Sequence, residues 1–384
     1  MLTDEEIGEV RGHFPILREK TYLYSCSQGA LSDVVEGGIR DYAESWRTSA
    51  APWDAWMDRY DALRAAFARF INAQPEEVAI VASASAGINP IASALCFDGR
   101  NKVIMSEYEF PTMGHIWLAQ RPRGAVVEFL GPSGTGLPAC ALPDYKQAID
   151  KQTLIVPLTQ VSFKNGLRSD ISGVTKIAHD RGALVFLDGY QDCGTRPLDV
   201  KALDVDFFVT GTLKYLLGPP GLAFLYVRRE LIESLMPTMT SWMAQRDVFS
   251  FQTKLLDPSP DARRFEGGTP PIPNIYMAQP ALDLLMRIGM ENVASQVERL
   301  AREFIEGASD LGISSKTPAS TVGPLVVLRS TDPATVLARL TARGIVVSTR
   351  QDGVRFAFHV YNTLDDVHAA LAALKDNLDL MVRA

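Results

Sequence analysis

Cysteine is scarce in this chain, and its placement excludes more than its number does. The sequence holds Cys26, Cys96, Cys140 and Cys193, with no close pairing, no metal-ligand spacing and none after residue 193. A disulfide framework and a cysteine-built metal site are both excluded, and the pattern fits a reducing compartment. Basic runs are also missing. Arginines are spread along the chain and the formal net charge is −7, so neither nucleic acid nor an anionic membrane surface is an expected partner. No apolar run reaches membrane-spanning length. No GxGxxG turn follows a strand pattern, which leaves a dinucleotide-binding reading without its phosphate turn. The first residues, MLTDEEIGEVRGHFP, are acidic and polar, unlike a secretory or transit peptide. No repeat or low-complexity segment is visible. The expectation is a soluble cytoplasmic enzyme.

What is present is apolar surface to bury. Of 384 residues, 47% are hydrophobic, enough for a large core and for two domains of ordinary size. Apolar runs alternate with helical patterns through the middle of the chain. VAIVAS (78–83), KVIMS (102–106), AVVEFL (125–130), TLIVPL (153–158), ALVFLD (183–188), VDFFVT (205–210) and LAFLYV (222–227) read as strands. Helices are expected from about Gly87, near 113–120 and near 170–181. This rhythm predicts an α/β fold with a doubly wound, mostly parallel sheet. The segment GPSGTGLPACALP (131–143) reads as a surface loop. A boundary falls near EGGTPPIP (266–273), followed by one long helical pattern from about Asn274 through Gly307. A compact α+β unit then follows: strands at PLVVLR (324–329), IVVS (345–348) and VRFAF (354–358), with helices near 333–343 and from Leu364.

The densest chemical signal lies between Ala183 and Val227. One apolar strand ends on Asp188, and a second ends just before a tight turn carrying Lys214. Ligands of open α/β sheets bind beyond the carboxyl ends of the strands. Asp188, Gln191 and Lys214 could therefore share one crevice. An acid and a lysine in such a place point to pyridoxal phosphate (PLP). The lysine forms a Schiff base and the carboxylate holds a proton on the pyridine nitrogen. Gln191 could donate to the ring's 3′ oxygen. The plain alternatives are a surface lysine after a strand and an aspartate that only caps a turn.

Other candidates surround these. SASAGIN (83–89) follows a strand and opens a helix, so Ser85, Ala86 and Gly87 are candidate phosphate contacts, or simply a Ser-capped helix start. In EYEFPTM (107–113), Phe110 could stack on a cofactor ring and Thr112 could hold a polar group. Equally, Phe110 could be core and Pro111 a helix opener. Arg350 and Arg355 are candidates for a substrate α-carboxylate, because the planar guanidinium makes two parallel bonds. Each could also be a surface arginine beside a strand. His359 reads as structural, and Arg264 and Glu266 as an ion pair. Tyr24, Ser25, Cys26, Trp53 and Trp56 are unranked candidates for the substrate side.

Together these motifs resemble the class V aminotransferase family of fold type I PLP enzymes, which includes cysteine desulfurases, selenocysteine lyases, kynureninases and isopenicillin N epimerase-like proteins. The carrying segments are YLYSCSQGALS (22–32), SASAGIN, LDGYQ (187–191), TGTLKYLLGPPG (210–221), RFEGGTPPIP (264–273) and VRFAFHVYNTLDDV (354–367). The resemblance implies a large domain (21–265) with a mostly parallel seven-stranded sheet. It also implies an interdomain helix with a small C-terminal α+β domain (266–384), and an N-terminal segment (1–20) packing on the small domain. It makes Lys214 the Schiff-base lysine and Asp188 and Gln191 the ring partners. Ser85, Ala86 and Thr212 become phosphate ligands. Thr269 would reach the phosphate of the other subunit's cofactor, which implies a homodimer.

Three departures narrow the activity. Leu213 stands before the lysine where many members have histidine. FPT resembles the kynureninase ring-stacking version. No cysteine follows Cys193 to carry a persulfide, which needs a mobile thiolate. The expectation is a PLP enzyme acting on a small amino acid, with Lys214 as base at Cα. It would be a lyase cleaving C–S or C–C at Cβ without a persulfide cysteine. A transaminase is the alternative, and then an epimerase. A binding protein that has lost catalysis is disfavoured by the joint presence of Lys214 and Asp188.

Overall fold

A computed structural model describes residues 2–132 and 140–384. Most of the expected loop at 131–143 lies outside the described residues. The apolar runs of the first two thirds form one seven-stranded sheet. Its spatial order is Val78–Val81, Ala223–Val227, Phe207–Gly211, Leu184–Asp188, Thr153–Thr159, Lys102–Ser106 and Val126–Leu130. All neighbours run parallel except Ala223–Val227, which is antiparallel to both of its own. The sheet is thus mostly parallel, but the last of the three apolar runs reverses direction.

Continuous apolar runs follow from burial on both faces. Side chains alternate across the sheet: Phe186 and Phe207 join one core, Leu187 and Phe208 the other. The edge strand Val126–Leu130 instead alternates exposed and buried residues near its start. The strand at Val78 stops at Val81, and its helix spans Ala84–Ala94, three residues earlier than expected. Ser83 turns the chain and caps that helix, which brings the start forward.

The C-terminal third builds a three-stranded antiparallel sheet in the order Ser348–Arg350, Gly353–Ala357, Leu325–Arg329. Phe304, Val326, Leu328 and Phe356 form its own core. The single long helix expected from Asn274 is two helices, Ile272–Ile288 and Met290–Asp310. Gly289 separates them at φ +84°, a left-handed conformation that interrupts the helix. IVVS is also divided: Ile345–Val346 pairs in parallel with Thr21–Tyr22, while Ser348 begins the hairpin.

The N-terminal helix Asp4–Gly12 is tied to the C-terminal region. Arg11 bonds Asp366 at 2.8 Å and the Tyr361 carbonyl, and the Phe14 ring packs tilted on Tyr361 with centroids 4.7 Å apart. The expected Arg264–Glu266 pair does not form. Arg264 donates to the Ser259, Ile232 and Leu235 carbonyls. Glu266 is buried against Arg64, Tyr60 and the Ile80 N–H. Most of the large sheet lies between Arg64 and Glu266 in the chain, so no local pattern encodes their contact.

Candidate active site

The parallel strands end together, and a cavity of about 370 Å³ opens beyond them. Asp188, Gln191 and Lys214 all line it, so the three residues of the central sequence signal do converge. Asp188 closes its strand and accepts the Tyr190 N–H at 2.9 Å. Burial pushes its carboxyl pKa up, while the Tyr190 N–H and the Lys214 charge pull it back. Lys214 follows the strand Phe207–Gly211. Burial drives its ammonium down to about 8; Asp188 opposes this, and Arg355 and Arg350 add to it. Its Nζ lies 4.5 Å from the Tyr190 ring centre.

The N-terminal segment covers the lysine turn. Gly29 donates its N–H to the Leu213 carbonyl at 2.7 Å. A Cβ at Gly29 would stand 2.5 Å from the Lys214 carbonyl oxygen, so only glycine permits that approach. This places Tyr24, Cys26 and Ser27 in the cavity wall.

At another side sits the helix Ala84–Ala94. Ser83 Oγ accepts the Ala86 N–H at 3.1 Å, and the Ser83 carbonyl accepts the Gly87 N–H. The open helix end therefore presents Ala84 and Ser85, not Ala86 and Gly87. Gly87 has a packing role: a Cβ there would press on Val209, Leu225 and Val81. Ser85 Oγ and Thr112 Oγ1 lie 3.3 Å apart and both line the cavity. Phe110 is 43% exposed, which rules out its being core, and it meets Phe163 edge-on at 5.1 Å. Pro111 does open the next helix, Pro111–Leu118.

Several expected contacts are directed elsewhere. Thr212 gives its hydroxyl to the Pro219 carbonyl at 2.5 Å and does not line the cavity. Ser25 is buried with its hydroxyl 2.5 Å from the Tyr361 hydroxyl, and Ser27 takes the cavity position. Trp53 and Trp56 pack on each other, and Trp56 also reaches Tyr42, outside the cavity. Thr269 is exposed and does not line this chain's own cavity. Gln191 spends one N–H on the Cys26 carbonyl at 3.0 Å, and its buried Oε1 has no partner among the described residues. His359 is structural: its Nε2 meets the Tyr215 carbonyl at 2.8 Å, and it stacks on Tyr215 and Tyr361.

Both arginines reach the cavity. Arg355 is 1% exposed and donates to Ser348 Oγ, Ser27 Oγ and the Phe163 carbonyl. Arg350 lies at the exposed rim and donates to the Thr349 carbonyl. Sequence reasoning missed Ser27, Thr159, Tyr190 and Phe163. Tyr190 sits inside the LDGYQ motif, the one signal that could have revealed it.

This donor set fits PLP. It offers a lysine whose amine is partly uncharged near neutral pH, a buried carboxylate, a helix N-terminus flanked by two hydroxyls, and a buried amide oxygen awaiting a partner.

A lysine and an acid at the carboxyl edge of such a sheet define a lysine-centred α/β enzyme. A model of the family described as Aminotransferase class-V matches residues 39–370, and the chain belongs to that family of PLP enzymes. It is similar to an uncharacterized aminotransferase, YcbU, of Bacillus subtilis (strain 168), at 32% identity over 94% of this chain and 96% of that one. It is also similar to a kynureninase of Deinococcus radiodurans, at 28% identity over 98% and 94%. The apo structure of a cysteine desulfurase from Thermococcus onnurineus NA1 superposes with a TM-score of 0.88, at 24% identity, covering 99% of each chain. That last likeness shows the fold.

Proposed function

We propose that this protein is a PLP-dependent enzyme of small amino acids that cleaves a bond at the substrate's Cβ, C–S or C–C. The carrying observation is the convergence of Lys214 and Asp188 on one cavity. PLP, when bound, supplies an aldehyde for an amine and an electron-withdrawing ring that stabilises a carbanion. Lys214 Nζ would hold the aldehyde carbon, and Asp188 would hold the proton of the ring nitrogen. Ser85, Thr112 and the open end of the helix Ala84–Ala94 would take the phosphate, and Phe110 would cover a ring face. Arg355, fixed by three hydrogen bonds, orients the substrate α-carboxylate. Lys214 Nζ, in its uncharged form, would take the Cα proton as general base. Apolar walls from Tyr24, Val161, Phe163 and Leu213 limit water there.

Cleavage at Cβ without a persulfide-carrying cysteine is supported by the thiols themselves. Among the described lining residues Cys26 is the one cysteine; it is buried, with its Sγ against Ser348 Oγ. Relatives named kynureninase support the same reading, and the similarity to an uncharacterized aminotransferase keeps transamination as the second one. Thr269, exposed outside its own cavity, supports a homodimer in which it serves the partner's site.

Borohydride reduction of the purified protein, followed by peptide mapping, tests the assignment. The expected label is on Lys214, and a label on any other residue refutes it. A panel of amino acids then separates the reactions. A lyase turns over alone, whereas a transaminase yields keto acid only in step with an added acceptor.

A further inference from the structure

Two arginines compete in the sequence for one carboxylate, and the structure puts both in the cavity. The register explains why. Ser348 faces Arg355 across the antiparallel hairpin, and Arg350 lies two residues beyond Ser348. Residues two apart on a strand share a face. Arg350 and Arg355 are therefore diagonal neighbours, with strand positions about 7–8 Å apart.

Like charges so placed repel, and among the described residues no carboxylate forms an ion pair with either arginine. Arg355 bonds only neutral oxygens, those of Ser348, Ser27 and Phe163. Arg350 bonds only the Thr349 carbonyl. Asp188 is the one acid among the described lining residues. It faces Lys214, whose ammonium both arginines depress. Burying a guanidinium against neutral partners is costly until an anion arrives. On Arg355, each terminal nitrogen uses one N–H on the protein and keeps one for a ligand. The wall beside them is apolar, with Tyr24, Val161 and Phe163.

We propose that the substrate is an acidic amino acid with two anionic groups. Its α-carboxylate sits on Arg355, and a second carboxylate or comparable oxyanion, at the end of a short side chain, sits on Arg350. This rests on the amino-acid reading above. Two arginines on one face of one hairpin can each take one end of a short dianionic chain, and the apolar wall suits the methylenes between them.

The test uses acids without an amine, which cannot react at Lys214. Succinate, glutarate, propionate and butyrate are titrated calorimetrically into the purified protein in phosphate- and sulfate-free buffer. The dianions are expected to bind about 10-fold or more tightly than the monoanions. R350Q brings the dianion-to-monoanion ratio close to one, and R355Q weakens all four acids. Arg350 is exposed and holds only a neighbouring carbonyl, so R350Q leaves the fold intact. Equal affinities in the unaltered protein, or a ratio that survives R350Q, overturn the proposal. The borohydride label on Lys214 is read on the same preparation. A missing label sinks the PLP reading, whereas a label with no dianion preference sinks only this inference.

Discussion

Lys214 gives the sharpest quantitative expectation. An ordinary lysine has a pKa of 10.5, and burial in this site brings it to about 8. At pH 7 the uncharged fraction rises from about 0.0003 to about 0.1, roughly 300-fold. Only the uncharged amine attacks an aldehyde carbon. In protein stripped of cofactor, the rate of cyanoborohydride trapping of added PLP is expected to rise with pH and level off above about 8. Two substitutions carry opposite signs. Asp188 stabilises the ammonium, so Asp188→Asn moves the midpoint below that of the unaltered protein. Arg355 destabilises it, so Arg355→Gln moves the midpoint up. The assay is stopped-flow absorbance over pH 6–11, with mass mapping of the trapped lysine. A rate still climbing through pH 10 would refute the desolvation argument. Shifts of the same sign in the two variants would refute the assignment of the opposing charges.

Glu266→Ala leaves Arg64 buried without its carboxylate, along with the Tyr60 hydroxyl and the Ile80 N–H. The expected loss is about 3–5 kcal/mol in urea unfolding, and a loss below about 1 kcal/mol would contradict the buried-pair reading. His359 is held neutral by burial, its pKa lowered from 6.5 to about 4. The unfolded chain binds that proton more readily, so stability present above pH 6.5 is lost as pH falls toward 4. The full loss is about 3 kcal/mol. Denaturant midpoints at pH 7 and pH 4.5 measure it, and His359→Asn should reduce the difference between them.

Much of the cavity lining was legible because its residues sit where strands end. Asp188 and Lys214 close or follow unmistakable apolar runs, and a parallel sheet delivers every such end to one edge. Ser85 and Thr112 were legible for the same reason. The candidates that do not line the cavity are those for which one hydrogen bond decides the outcome. Thr212 and Thr112 look equivalent in sequence, yet the Pro219 carbonyl captures only the first. Ser25 and Ser27 alternate on one segment, and Tyr361, more than 300 residues away, takes Ser25. Gly87 resembles a phosphate contact, but its N–H closes the first helical bond.

The sequence by itself determined the layered sheet, its core and the pairing of one lysine with one acid. Those follow from local periodicity and from which residues end each strand. Only the tertiary structure decided which serine, which threonine and how many arginines face the cavity. Side-chain direction there depends on register and on partners far away in the chain: a one-residue shift turns a group from ligand to core.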